Sequence, residues 1–518
     1  MEFTTEAILK PLRQRGFVQG TKYSINGIPT CLSFTGVRYA LPSKRWTRAK
    51  PLSSSFTYGT RENPGQCASV SAVCPQMEWD GTFNEASWSE DCFQTNIWMP
   101  NEDPPEEGWP VMVFLHGGWL QSGTPNEFKP ASLIGEGGLK AVIVLPAYRL
   151  GVFGFLYCAQ LEEEANANLN STGNLGFWDQ RLALEWVSEN ISLFGGDANN
   201  ITLAGYSAGA YSAFHQLAYE LNTPTRCIIK RLCMWSNGPG VQPKSPSEAQ
   251  VQFDQLVTAL NIPNTFSSTE TLAKLRSLSS KEILQRALSI PAHQFRPTTD
   301  GAFITPNVIT NLGTLAQTLV ERKIPLMIGE CRDEHVLYEM WRPPAKNTWE
   351  GLRDRLIAEY PEHIANGLME IYFPNRELPS KFEDWKHAFG FLYADMQVHR
   401  LGRGLVKTVA HHGGEELLYR YRIEYRMKCV DSFLPAELGV THGTDQAIWF
   451  WGGGRAIPEE EKLVIKRALV GPLHDFVAGK HVDWGTSDCR TIRKLTSTGE
   501  VEIWKDALWE EHDPVWNL

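Results

Sequence analysis

Long apolar runs alternate with helical patterns along this chain, and this alternation constrains the fold more than any other feature. The runs occupy residues 111–116, 141–148, 201–205, 231–236, 324–329 and 416–425. Several are too continuous for a sheet that has one face in water. In one helical segment between them, Leu184, Val187 and Ile191 share a face and a pair of glycines follows. The pattern predicts an α/β protein with a mostly parallel central sheet and helices on both faces.

The stretch from about residue 240 to 400 has a different character. It is polar, rich in helical patterns and interrupted by prolines, with one strand pattern at 324–329. We interpret it as helical insertions that wall a pocket. A chain of 518 residues is long for one domain, but large α/β proteins with insertions often reach this length. We therefore predict a single large domain over residues 1–518.

Composition and charge exclude several classes of protein. A formal net charge of -10, without a cluster of Lys and Arg, argues against a nucleic-acid partner. The chain has no run of about 18 apolar residues, and its N-terminus lacks the apolar core of a signal peptide, so we expect a cytoplasmic protein with no membrane partner. The ten cysteines lack paired C-x-x-C spacing and no H-E-x-x-H occurs, which predicts no metal and no cofactor.

A serine lies between two glycines where the apolar run 201–205 ends and a helical pattern begins. The sequence is Gly205-Tyr206-Ser207-Ala208-Gly209. A serine on such a sharp turn is strained, and small residues two positions away on each side let the strand and the helix approach, which leaves the hydroxyl exposed above the sheet. The pentapeptide therefore fits a nucleophile elbow. By itself it also fits an ordinary tight turn.

The rest of the chain supplies the groups that an activated serine needs. In α/β hydrolases an acid and then a histidine follow the serine, each on a loop after a strand. Asp333 and Glu334 follow the run 324–329, and His442 lies farther on in a loop, before a glycine. Upstream, the run 111–116 ends in His-Gly-Gly, the pattern of an oxyanion loop. A second His-Gly-Gly after residue 411 precedes a strand, so we assign His411 and His412 no role.

Five segments, in order along most of the chain, resemble the type-B carboxylesterase and cholinesterase-like family of α/β hydrolases. They are "FTGVRYALP" (34–42), "SEDCFQTNIWMP" (89–100), "AYRLGVFGFL" (147–156), "GNLGFWDQRLALEWVSENISLFGGD" (173–197) and "GYSAGA" (205–210). The first is similar to F-x-G-I-P-Y-A-x-P and the second to S-E-D-C-L-x-L-N-I-W-x-P. The resemblance implies an α/β-hydrolase fold and a serine esterase with a catalytic triad and an oxyanion hole.

The resemblance also implies roles for particular residues. Ser207 would be the nucleophile, His442 the general base and Glu334 the acid, because the family favours Glu over Asp at that position. The oxyanion donors would be the backbone amides of Gly118, Trp119 and Ala208. Cys74 and Cys92 match a pair that forms a disulfide in secreted members, and here they are either bridged or free thiols.

Two departures from the family pattern concern the substrate, and both residues are candidate substrate contacts. Tyr206 replaces the Glu that usually precedes the nucleophile, which removes a negative charge and weakens the case for a cationic choline substrate. Trp119 stands where the family pattern H-G-G-G has its third glycine. Its indole either fills part of the acyl pocket, swings out over it, or points away as packing.

These observations favour a serine carboxylic-ester hydrolase that acts on an uncharged hydrophobic or aromatic ester or lactone. One alternative is an acyltransferase or another reaction of specialised metabolism with the same triad, because a pocket that excludes water lets an alcohol take the acyl group. A second alternative is a catalytically silent cholinesterase-like binding protein. Retention of Ser207, Glu334 and His442 together argues against the second alternative.

Overall fold

Thirteen strands form one sheet in the part of the chain described by this computed structural model, which comprises residues 3–168, 170, 172–223 and 227–509. The strands of this sheet and of a separate β4–β5 pair are β1 (Phe3–Pro11), β2 (Phe17–Ile25), β3 (Ile28–Arg38), β4 (Ala40–Leu41), β5 (Lys50–Pro51), β6 (Gly65–Gln66), β7 (Gln94–Pro100), β8 (Trp109–Leu115), β9 (Val142–Pro146), β10 (Gly196–Tyr206), β11 (Ile229–Trp235), β12 (Leu326–Cys331), β13 (Leu418–Ile423), β14 (Thr491–Leu495) and β15 (Val501–Lys505). The order across the sheet is β1-β2-β3-β7-β9-β8-β10-β11-β12-β13-β14-β15, and β6 pairs with β2.

The central strands run parallel and the outer strands run antiparallel. Every neighbouring pair from β9 through β8 and β10 to β14 is parallel. On one side the pairs β1–β2, β2–β3, β3–β7 and β7–β9 are antiparallel, and the short β6 runs parallel to β2. On the other side β14 and β15 are antiparallel. The mostly parallel central sheet predicted from the apolar runs is confirmed.

Helices alternate with these strands. The α-helices of the described residues are α1 (Ala131–Gly135), α2 (Gly151–Phe155), α3 (Ala159–Ala167), α4 (Leu175–Asn190), α5 (Ala208–Asn222), α6 (Pro246–Ala259), α7 (Ser268–Ser277), α8 (Ser280–Ser289), α9 (Leu312–Glu321), α10 (Glu334–Met340), α11 (Trp349–Ile357), α12 (Glu362–Tyr372), α13 (Trp385–Ala394), α14 (Arg400–His411), α15 (Gln446–Trp449), α16 (Glu459–Ile465) and α17 (Gly471–Ala478). Two π-helical segments, Asp395–His399 and Lys466–Val470, join α13 to α14 and α16 to α17.

Both faces of the sheet are buried at its central strands. Along β8, Val111 and Val113 belong to one apolar core, whereas Met112 and Phe114 belong to another. Successive side chains of a strand point to opposite faces, so the two cores lie on opposite sides of the sheet. This double burial explains why residues 111–115 are continuously apolar.

The region from 240 to 400 is built mainly of helices, from α6 to the start of α14, around the single strand β12. Its later helices enclose a third apolar core that includes Tyr338, Leu352 and Tyr393. Trp119, from the loop after β8, also belongs to this third core. The helical region therefore packs directly on the loop in which the sequence predicts oxyanion donors.

No helix within the described ranges combines the length and the apolar character that crossing a membrane requires. The cytoplasmic location and the single domain over residues 1–518 stay predictions.

Candidate active site

The strained turn predicted at Ser207 is present between β10 and α5. Ser207 has φ +54° and ψ -125°, a conformation that residues with a Cβ rarely adopt. A Cβ added to Gly205 would lie 2.1 Å from the carbonyl oxygen of Gly209, and one added to Gly209 would lie 2.0 Å from that of Leu115. The two glycines therefore permit the close packing of strand against helix that holds the turn.

Ser207, His442 and Glu334 form a continuous hydrogen-bonded chain. His442 Nε2 lies 2.8 Å from Ser207 Oγ, and His442 Nδ1 lies 2.5 Å from Glu334 Oε2. The other carboxylate oxygen of Glu334 accepts a hydrogen bond of 2.8 Å from the amide of Cys331. An ionised Glu334 accepts the Nδ1 proton, which leaves Nε2 as the acceptor for the serine hydroxyl. This is the arrangement that activates a serine as a nucleophile.

The parallel sheet brings these three side chains together at the carboxyl ends of its strands. Ser207 follows β10, Glu334 opens α10 three residues after β12 ends, and His442 lies in the loop before α15. Asp333, the alternative acid, accepts a hydrogen bond of 2.8 Å from the amide of Val440 and pairs with Arg332. Glu334 thus faces His442, whereas Asp333 faces the backbone segment just before His442.

The loop after β8 lies against the nucleophile. A Cβ added to Gly117 would be 3.0 Å from Cβ of Ser207, and Gly118 has φ +102°. Within the described ranges, the backbone amides of Gly118, Trp119 and Ala208 donate no hydrogen bond to another protein group. Buried amides are almost always paired, so three free amides beside a serine are suited to bind an oxyanion.

Trp119 is buried, with 6% of its surface exposed, and belongs to a cluster of aromatic rings. Its ring stacks on Trp341 with centroids 5.0 Å apart and meets Tyr338 edge-on at 5.7 Å. Its Nε1 donates a hydrogen bond of 2.8 Å to the hydroxyl of Tyr393. The indole therefore points into the helical region and is held there, instead of swinging out over the site.

Tyr206, the other predicted substrate contact, lies beside the general base. Its ring centroid is 4.9 Å from that of His442, and 5% of its surface is exposed. A phenol thus stands next to the imidazole where the family pattern has a carboxylate. A substrate-binding role for Tyr206 stays a prediction.

Two residues next to His442 were not predicted from the sequence. The hydroxyl of Tyr338 lies 3.2 Å from His442 Nδ1. Tyr338 is four residues after Glu334 on α10, so the spacing of a helical turn could have placed both on one face. Asp445 follows His442 by three residues and accepts hydrogen bonds from Ser236 and Trp449 through Oδ2. No motif in the sequence distinguished Asp445.

Asp445 is fully buried, and its ionisation is disfavoured. Burial, and next the negative charge of Glu334, raises the pKa of Asp445 to about 6. Among the described groups, its Oδ1 has no hydrogen-bond partner. The folded protein binds this proton more tightly than the unfolded chain, in which an Asp has a pKa of about 3.9. Stability from this group is therefore present below about pH 4 and is lost as the pH rises to about 6.

We expect Asp445→Asn to become more stable relative to the wild type as the pH rises from about 4 to 6.5, by up to about 3 kcal/mol. The amide keeps the shape of the carboxylate but carries no charge to bury. Urea unfolding of both proteins at pH 4.5 and 7.5 measures the difference. Asp333→Asn is the matched control: hydrogen bonds from Arg332 and Val440 outweigh burial and lower the pKa of Asp333, so this group is ionised in the folded and unfolded states at both pH values and its stability difference should stay nearly constant. A stability difference for Asp445→Asn that does not change with pH would contradict the expectation.

The histidines of the two His-Gly-Gly motifs lie outside the hydrogen-bonded chain. His116, at the start of the loop after β8, stacks on Tyr148 with centroids 4.3 Å apart, and burial lowers its pKa to about 4. His411 is exposed at the end of α14, and the ring of His412 bonds the carbonyl of Thr408. His411 and His412 precede β13, as the order of patterns in the sequence predicted.

Comparison with known proteins identifies the family of this chain. A family model described as the Carboxylesterase family matches residues 9–481. The chain belongs to this family. A carboxylic ester hydrolase of Gibberella moniliformis is 41% identical, and the match covers 97% of this chain and 94% of that protein. An uncharacterized esterase/lipase of Schizosaccharomyces pombe is 36% identical, with 94% and 91% covered.

The fold comparison points the same way. The crystal structure of Aspergillus niger EstA matches this carboxylesterase with a TM-score of 0.76, over 99% of this chain and 98% of that chain. At 19% sequence identity the match bears on the fold alone. Family membership and fold confirm the resemblance found in the sequence and the α/β-hydrolase architecture. The protein is a carboxylic ester hydrolase.

The sequence left open whether Cys74 and Cys92 form a disulfide. In this carboxylesterase both are buried free thiols. The amide of Leu150 donates to the sulfur of Cys74 at 3.3 Å. A hydrogen bond with Cys74, and then burial, raises the pKa of the Cys92 thiol well above its ordinary value. Cys92 is therefore protonated at neutral pH.

Proposed function

We propose that this carboxylesterase hydrolyses uncharged hydrophobic or aromatic esters or lactones through an acyl-enzyme on Ser207. The observation that carries the proposal is the hydrogen-bonded chain from Ser207 through His442 to Glu334, beside three unpaired amides. A serine hydroxyl is a weak nucleophile at neutral pH. In the hydrogen-bonded chain, His442 supplies the base and Glu334 orients it.

The reaction has two halves. In the first, His442 Nε2 takes the proton of Ser207 as Oγ bonds to the ester carbonyl carbon, and the carbonyl oxygen becomes an oxyanion. The amides of Gly118, Trp119 and Ala208 stabilise that charge. The imidazolium then protonates the departing alcohol as the ester C–O bond breaks. In the second half, His442 takes a proton from water as the water oxygen bonds to the acyl carbon. The bond between the acyl carbon and Oγ then breaks and the imidazolium returns its proton to Oγ, which releases the carboxylic acid and restores Ser207.

The surroundings of the nucleophile favour an uncharged substrate with flat or apolar groups. Trp119 and Trp341 stack beside Tyr338, whose hydroxyl reaches His442. Trp79, which is half-exposed, packs against both indoles with centroids 6.0 and 4.1 Å away. Such rings bind aromatic and aliphatic groups well. Tyr206 adds no charge at the position before Ser207.

Trp119 limits acyl size in this proposal. We expect Trp119→Gly to raise kcat/KM for esters with long or branched acyl groups at least about tenfold, because an indole of roughly 150 to 250 Å² is removed. The same change frees the backbone of the loop and lowers the rate for acetyl esters. A series of aryl esters of graded acyl length, compared between wild type and variant, measures both effects.

The control for that series is Trp79→Ala, which removes an indole from the exposed edge of the same cluster and leaves residue 119 unchanged. We expect this variant to lose kcat/KM by the same factor for every acyl length, because Trp79 supplies binding surface without limiting acyl size, so the shape of its acyl-length profile should follow that of the wild type. If Trp119→Gly also keeps the wild-type profile, the indole is packing and does not limit acyl size.

The nature of the acyl acceptor is tested with the same esters. Product analysis with and without an added alcohol separates hydrolysis, which releases the free acid, from acyl transfer, which forms a new ester. The proposal expects the free acid as the main product in both cases. A new ester as the main product when alcohol is present would identify an acyltransferase instead.

A further inference from the structure

The backbone of the oxyanion loop is held in an unfavourable conformation. Trp119 has φ +57° and the next residue, Leu120, has φ +62°. Both carry a Cβ, so the left-handed region costs free energy that their surroundings must supply. In the proposed function the amide of residue 119 serves the oxyanion, and its direction depends on this backbone. A contact that fixes the indole of Trp119 therefore also helps to fix the direction of the amide that stabilises the oxyanion.

The indole is fixed by a tyrosine from the helical region. Tyr393, near the end of α13, accepts the 2.8 Å hydrogen bond from Trp119 Nε1. Tyr393 is 1% exposed and packs against Tyr338, with ring centroids 4.9 Å apart. The hydroxyl of Tyr393 also donates a hydrogen bond to Oε1 of Glu359. One oxygen thus links the oxyanion loop to a carboxylate in the segment after α11.

The charge of Glu359 determines which way the Tyr393 hydroxyl points. The Glu359 side chain is fully buried and pairs with Arg296 at 2.6 Å and Arg355 at 3.2 Å. Burial opposes ionisation, but the two guanidiniums outweigh it and lower the pKa of Glu359. An ionised carboxylate only accepts hydrogen bonds. The Tyr393 O–H is therefore directed at Glu359, and its lone pairs remain for the indole N–H.

We propose that Tyr393, oriented by Glu359, is a positioning residue for ester hydrolysis: its hydroxyl holds the indole of Trp119 and thereby fixes the amide of residue 119 at the oxyanion. This inference rests on the proposed function. Tyr393 itself touches neither the nucleophile nor the base in this arrangement. It acts through Trp119, across 274 positions of the sequence.

The test compares two buried tyrosines that differ in their partner. Tyr393→Phe removes the hydroxyl that holds Trp119. Tyr360→Phe is the matched control, because Tyr360 lies in the same core but its hydroxyl accepts from Gln397. Each variant is assayed for kcat and KM on an aryl acetate and for Ki of a trifluoromethyl ketone, which adds to the serine and leaves an oxyanion. Thermal unfolding of each variant is recorded as well.

We expect Tyr393→Phe to lower kcat about tenfold and to raise the Ki of the ketone by a similar factor, because a displaced donor loses part of its effect on the transition state. KM should change less than twofold, and Tyr360→Phe should change kcat and Ki less than twofold. Trp119→Phe removes the other end of the bond, so the double variant should be no slower than the slower single variant.

Two results would overturn the inference. One is a Tyr393→Phe enzyme with lower thermal stability but wild-type kcat and Ki, which would show a purely structural role. The other is additive losses in the double variant. If the wild-type protein does not hydrolyse the ester at all, it is the proposed function that fails, and the wild-type assay distinguishes this case.

Discussion

Ser207→Ala should lower kcat for an activated aryl ester by at least about 10⁴-fold and leave the protein folded. The variant lacks the oxygen that His442 deprotonates, and no other nucleophile can take its place on the strained turn. An alanine adopts φ +54° no less readily than a serine does, so we expect the unfolding temperature to change little. Steady-state rates and thermal unfolding of the purified variant measure the two effects.

The matched control for this change is Ser212→Ala. Ser212 is buried on α5 close to the nucleophile, but its hydroxyl donates to the carbonyl of Ala208 at 2.8 Å. We expect the control to keep most of its activity. A Ser207→Ala enzyme that retains more than about one hundredth of the wild-type kcat would be inconsistent with a serine mechanism.

Glu334→Gln should lower kcat by roughly 10³ to 10⁴-fold, whereas Asp333→Asn should change it less than about threefold. Glu334 accepts the Nδ1 proton of His442 at 2.5 Å, and a glutamine in its place no longer stabilises the imidazolium or holds the reactive tautomer. Asp333 pairs with Arg332, which is 40% exposed at its side chain, and such pairs contribute little. Rates for both variants on one aryl ester give the ranking.

Each variant is the matched control for the other, because in each one a single acid of an adjacent pair is replaced by its amide. Asparagine at residue 333 still accepts the hydrogen bond from Val440, so the chain leading to His442 keeps its path. A larger loss for Asp333→Asn than for Glu334→Gln would move the triad acid to Asp333.

Local rules explain how much of the fold and site the sequence predicts. A strand buried on both faces must be apolar at every position, so the run 111–116 identified a central strand without knowledge of its neighbours. A serine turn between strand and helix needs small residues two positions away, and Gly205 and Gly209 meet that need. Because parallel strands end at one edge of the sheet, the order serine, acid, histidine predicted that Ser207 and His442 meet an acid from the segment after the run 324–329. The preference for Glu334 over Asp333 came from the family resemblance.

Long-range packing explains what the sequence could not give. The spacing of Asp333 and Glu334 leaves either as the acid, and only the start of α10 decides which one faces His442. The direction of the Trp119 indole depends on Tyr393, and that of the Tyr393 hydroxyl depends on Glu359. None of these partners is near Trp119 in the sequence. Their contacts arise when the helical region packs on the oxyanion loop.

The aromatic residues around the site differ in what they contact. In the proposed function, Trp119 combines a backbone amide for the oxyanion with an indole that limits acyl size. Tyr206 and Tyr338 flank His442, with ring centroids 4.9 and 5.0 Å from the imidazole. Under the proposed function, these neutral rings favour an uncharged substrate and the indole of Trp119 limits the size of the acyl group. Kinetics on neutral and cationic esters of equal acyl length would measure the selection by substrate charge directly.

The most direct test of the central claim is covalent labelling by an aryl phosphonate that reacts with serine hydrolases. Intact mass spectrometry counts the adducts, peptide mapping locates them, and activity is measured on the same samples. We predict one adduct per chain on the peptide that contains Ser207, loss of activity in proportion to labelling, and no adduct in Ser207→Ala. An adduct on another residue, or full activity in the fully labelled protein, would contradict Ser207 as the nucleophile.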